Sequence, residues 1–126
     1  MNKNIVSLFV LMFLVGCATM PTKEEIAKLN YGMAPTIDCQ QVIKDYFSNA
    51  LVDPYSAVYE FENTPTQYWY KEPPLMGGKL YAGYMVSVKV NAKNRMGGYT
   101  GKKQYIFIFN NNSIIKIIDS EESAPW

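Results

Sequence analysis

The 126-residue chain has no histidine and only two cysteines, Cys17 and Cys39. Without imidazole there is no base for a Cys–His nucleophilic pair, and zinc or copper loses its most frequent nitrogen ligand. Charge of one sign is missing too: 12 basic residues stand against 11 acidic ones, for a net charge of +1. That balance provides no general attraction for nucleic acid or anionic lipid. A Walker-type Gly-x-x-x-x-Gly-Lys-Ser/Thr spacing is absent, as are internal repeats and low-complexity tracts. No apolar run reaches the ~20 residues needed to cross a bilayer, the longest being residues 5–15, interrupted by Ser7. These gaps argue against metal, nucleotide and Cys–His chemistry and leave a binding role as the expectation.

That short apolar run is informative for where it lies. Lys3 precedes it and the polar Thr19, Thr22, Lys23, Glu24 and Glu25 follow soon after, the three-part pattern of an export signal over residues 1–16. Leu14, Val15, Gly16 and Cys17 close it and resemble the lipobox of bacterial lipoproteins. The resemblance implies that the Cys17 thiol receives a diacylglycerol, that a peptidase cuts before it at the small Gly16, and that the new amine is acylated. Two or more acyl chains give stable anchoring where one gives marginal binding. Ala18 occupies the position at which aspartate signals inner-membrane retention, so the resemblance points to the outer membrane. Removing residues 1–16 of 126 leaves 110, enough for one domain with its own core.

Residues 17–37 read as the lipidated N-terminus and tether, with a capping box at Thr22 and Glu25 opening a short helix that Gly32 closes. Fully extended, this stretch reaches on the order of 60 to 75 Å. Residues 38–120 form the expected globular domain and 121–126 a polar tail ending in Trp126. Cys39, Val42, Ile43, Tyr46, Phe47, Ala50 and Leu51 recur at helical spacing, with Asp38 and Gln41 as cap and Asp53-Pro54 as stop. Beyond them the period becomes two. Strands are expected at residues 57–61, 67–71, 80–92, 105–109 and 114–118, with Asn110, Asn111 and Asn112 as a hairpin turn tolerant of positive φ. The expected fold is α+β, one amphipathic helix packed on a four- to five-stranded antiparallel sheet in a two-layer sandwich.

The connection between the two best strands carries the candidate binding residues: Asn91, Lys93, Asn94, Arg95, Gly97, Gly98, Tyr99, Thr100, Gly101, Lys102 and Lys103. Two readings stand side by side. Three glycines in five residues with four cations describe a backbone cradle for a phosphate or carboxylate, or a wide hairpin with bulges and solvated lysines. Asn30-Tyr31-Gly32, residues 53–57 and residues 91–101 together resemble segments of a family of small proteobacterial lipoproteins, with Tyr55 departing from the acidic or small residue usual there. The resemblance implies fold and location and adds no reaction.

Other candidates are weaker. Cys39 sits on the apolar helix face, where a buried inert thiol is the default. Ser87 with Lys89, and Glu60 with Glu62, share strand faces and read as solvated. Tyr68, Trp69, Tyr70 and Tyr81 form either sheet packing or a shelf for a sugar ring. The functional expectation is a non-enzymatic, membrane-anchored lipoprotein facing the periplasm or cell surface. It takes no cofactor or metal, and it binds a protein or cell-envelope component through residues 91–103. A glycan- or peptidoglycan-directed protein, either a binder or a weak hydrolase with Glu60 or Glu62 as acid, is one alternative. An accessory lipoprotein of a secretion or pilus assembly is another.

Overall fold

In the computed structural model, residues 20–119 are described. The expected export signal over residues 1–16, Cys17 and the tail 121–126 lie outside the described residues. Two compact units result, one of residues 20–29 with Lys71–Leu80, the other of residues 30–70 with 81–119. In the first, α1 (Lys23–Ala27) opens on the expected capping box: Thr22 Oγ1 accepts from the Glu25 amide, and Glu25 Oε2 accepts from the Thr22 amide at 2.8 Å. It ends at Lys28 rather than at Gly32, since five residues form little more than one turn and nothing extends it.

The second unit is the α+β sandwich. Helix α2 (Cys39–Ala50) starts where Asp38 Oδ1 accepts from the Gln41 amide at 3.1 Å and ends as Leu51 turns extended, just before a 3₁₀ turn at Pro54–Ser56. Five antiparallel strands follow: β1 (Val58–Phe61), β2 (Thr66–Lys71), β3 (Leu80–Asn91), β4 (Lys103–Asn110) and β5 (Ser113–Asp119). Their order is β1-β3-β4-β5, with β2 also paired to β3. The buried face of α2 is narrower than its apolar spacing: Cys39, Ile43, Phe47 and Leu51 are buried, whereas Tyr46 is 41% exposed. They meet Val86, Val88 and Val90 of β3 and Tyr105, Phe107 and Phe109 of β4. Phe47 is the hub, edge-on to Tyr105 at 5.0 Å and to Phe107 at 5.7 Å. Each such large side chain contributes about 1.5–3 kcal/mol on burial.

β1 and β2 share one edge of β3 as a single broken strand. The Glu62 amide still reaches Ser87 O, and the Glu72 amide reaches Lys79 O at the far hairpin. Between them Thr64-Pro65 interrupts the ladder, because proline has no N–H to donate. Asn63 repairs the gap with its side chain: Oδ1 accepts from the Ser87 amide at 2.7 Å and Nδ2 donates to Met85 O at 3.1 Å.

At the opposite edge, Asn111 and Asn112 take positive φ of 48° and 63° in the β4–β5 turn. Their side chains, with that of Asn110, hold the segment 30–37, read from sequence as tether. Asn110 donates to Asn30 O, Asn111 accepts from the Met33 amide, and Asn112 both accepts from the Thr36 amide and donates to Thr36 Oγ1. Gly32, at φ 70°, passes so close that a Cβ there would lie 2.5 Å from Asn110 Oδ1. Within this unit residues 30–37 are therefore fastened to the β4–β5 turn.

Candidate functional site

Residues 91–103 form a closed hairpin extension. Asn94 organises its tip: the amide donates to Gly98 O at 2.9 Å, the carbonyl accepts from Gly97, and Oδ1 accepts from the Met96 and Gly98 amides at 3.0 and 3.2 Å. Gly97 (φ 79°) and Gly101 (φ 100°) supply left-handed backbone. Thr100 donates its amide to Ala92 O, and the Gly101 amide donates to Asn91 Oδ1. The amides of Met96, Gly97, Gly98, Thr100 and Gly101 are thus all occupied within the hairpin, so the glycine backbone donors of the expected anion cradle are turned inward.

The four cations do not converge. Lys102 Nζ lies 2.8 Å from Glu60 Oε2, Lys93 Nζ lies 5.5 Å over the Tyr99 ring, and Lys103 is 5% exposed at the end of the core. Arg95 is exposed at the tip. What the structure does bring together is the hairpin and the 3₁₀ turn after α2. Ser56 joins them: its Oγ accepts from the Lys93 amide at 2.8 Å, and its carbonyl accepts from the Tyr99 hydroxyl at 3.0 Å. At the hairpin base an open depression of about 510 Å³ is lined by Val58, Glu60, Lys89, Asn91, Tyr99 and Lys102. Of its lining, Val58 is 57% and Tyr99 51% exposed, and on the two joined segments water also reaches Tyr55 of the 3₁₀ turn, at 101% exposure, and Met96 of the hairpin tip, at 93%. Tyr99 is among the residues expected from sequence, whereas Tyr55, Val58 and Met96 are not, since alternation marks burial and carries no signal for an apolar side chain left in water.

On the sheet face away from α2, Glu62 is the centre of a polar ladder. Ser87 Oγ and Gln104 Nε2 donate to Oε2, and Lys89 Nζ lies 3.1 Å from Oε1. These partners, Ser87 first and Lys89 next, hold the Glu62 carboxyl below its ordinary value of 4.5. Lys102 does the same for Glu60. A glycosidic general acid requires the opposite shift, so both carboxylates are set as ion-pair partners.

The aromatic group is divided by strand alternation. Tyr70 and Tyr81 flank Lys116 Nζ at 5.9 and 5.2 Å, and Trp69, next along β2 from Tyr70, points to the other face. Cys39 is 5% exposed, and burial pushes its thiol up from 9.0, away from the reactive thiolate. Among the described residues no group of three His, Cys, Asp or Glu side chains is placed to hold a metal ion, and no helix is long and apolar enough to cross a membrane. Comparison with protein-family models, with characterised proteins and with solved structures gave no match to the chain.

Proposed function

We propose that the chain is a lipid-anchored lipoprotein of the cell envelope whose α+β unit binds a protein partner, without catalysis, through the end of the sandwich formed by the 91–103 hairpin and the Pro54–Ser56 turn. One observation carries this reading: Tyr55, Met96, Val58 and Tyr99 are half to fully exposed on a framework made rigid by its own hydrogen bonds. Tyrosine and methionine beside arginine, with lysines at the rim, is the composition of protein-recognition hot spots, and a preorganised loop loses little entropy on binding. Binding by an anion cradle is set aside, because the amides are occupied.

The anchor reading rests on the sequence around Cys17, and the Asn110–Asn112 strap fits it. The chain enters this unit at the β4–β5 turn, whereas the hairpin projects from the other end of β3 and β4. At about 3.4 Å per residue, the eight residues of β4 put roughly 27 Å between the two ends. Within this unit the hairpin surface therefore lies at the opposite end from residue 30. A photocrosslinking amino acid at position 96 or 55, introduced in intact cells, is expected to capture a discrete envelope protein, while the same group at Gln40 of α2 captures none. Equal patterns at all three positions would remove the hairpin surface from the account.

A further inference from the structure

The unit of residues 20–29 with Lys71–Leu80 takes no part in the site above, yet it displays three large apolar side chains to water. Leu75 is 102% exposed, Met20 73% and Met76 54%. Leu75 and Met76 sit on a 3₁₀ turn, Pro74–Met76, at the crest of a built loop: Pro73 O accepts from the Met76 and Gly78 amides, and Gly77 and Gly78 take positive φ of 108° and 65°. Lys71 and Lys79 flank the loop, with the largely buried Glu72 beside Lys71, so that an apolar tip stands on a polar, charged base. The Glu25 carboxyl of α1 is held below 4.5, first by the Thr22 backbone and in small part by the Lys71 charge.

Chain length decides what covers this tip. Met20 is three residues from Cys17, at most about 11 Å along an extended chain. If Cys17 is acylated, Met20 is at the headgroups, and the loop that shares its compact unit is beside them. We infer that the Pro74–Met76 turn is a membrane-contact loop, with Leu75 and Met76 inserted into the interfacial region of the bilayer that holds the acyl chains. The inference rests on the anchor reading and gives the protein a second, non-covalent hold on the lipid surface, one that adds apolar burial to the acyl chains and restrains the unit on its tether.

The test uses the chain produced with its own signal and purified from membranes, carrying Cys39→Ser and Leu75→Cys, so that with Cys17 blocked as a thioether the thiol at position 75 alone takes an environment-sensitive fluorophore. In phosphatidylcholine vesicles the label at 75 is expected to shift to the blue and to be quenched by nitroxide-bearing lipid, whereas the same label at Met96→Cys stays in water. Emission at 75 that matches emission at 96, on protein whose mass includes the acyl groups, would overturn the membrane-contact loop and leave the anchor intact. A mass without acyl groups would overturn both.

Discussion

At Asn63 a side chain replaces a stretch of backbone. Its amide bridges Met85 O and the Ser87 amide, where the proline break would otherwise leave two β3 groups unpaired. Asn63→Ala exposes both and is expected to lower stability by about 1–3 kcal/mol in urea unfolding, against about half a kcal/mol or less for an ordinary surface position. Glu62 sets a pH dependence whose sign follows from its lowered pKa. The folded chain holds fewer protons there than the unfolded one, so its contribution is complete above 4.5 and is lost as pH falls through the folded value. Lys89, raised by the same pair, acts in the opposite sense: its contribution is complete below 10.5 and lost as pH rises past the folded value. Glu62→Gln is therefore expected to reduce the difference in urea midpoint between pH 7 and pH 3. An unchanged difference would locate the acid sensitivity elsewhere. Neither role was legible in advance, because Ser87, Lys89 and Glu62 look like any solvated strand residues until the register places them opposite one another.

At the scale of elements, the helix and the strands follow local rules. The Asp38 cap and the Cys39, Ile43, Phe47 spacing were readable because both act within a few residues of sequence. Phe47→Ala is expected to cost about 3–5 kcal/mol, since four aromatic rings surround that position across helix and sheet, and Asp38→Ala about 1 kcal/mol through loss of the cap. Chemical denaturation separates the two effects, and comparable losses would contradict the hub assignment. Period-two patterning located every strand but not their order. That β1 and β2 line up end to end on β3 depends on the length of the Thr64-Pro65 break, which only pairing reveals. The hairpin was recognisable from its glycines, and its closed hydrogen bonding was not, because Asn94 and Asn91 serve as acceptors only once the turn forms.

For the molecule as a whole, the strap at residues 30–37 fixes where the chain enters the unit of residues 30–70 with 81–119. Asn111→Gly with Asn112→Gly keeps the positive φ of the turn and removes both side chains that hold Met33 and Thr36. Hydrogen exchange at those two amides is expected to accelerate roughly fivefold, at about 1 kcal/mol per lost bond, while amides of β3 and β4 keep their protection. Unchanged exchange would mean that the strap is held by something other than the asparagine turn.

The sequence alone determined what depends on neighbours along the chain: the helix and its cap, the alternation of the strands, and the asparagine turn. Tertiary structure alone decided which polar side chains pair, that the hairpin amides turn inward, that residues 30–37 are fastened to the sheet, and that Tyr55, Val58, Met96 and Leu75 remain in water. The division has one physical cause. Local propensity acts over a few residues, whereas pairing and exposure depend on groups brought together from 20 to 80 residues apart by a core that must first be buried.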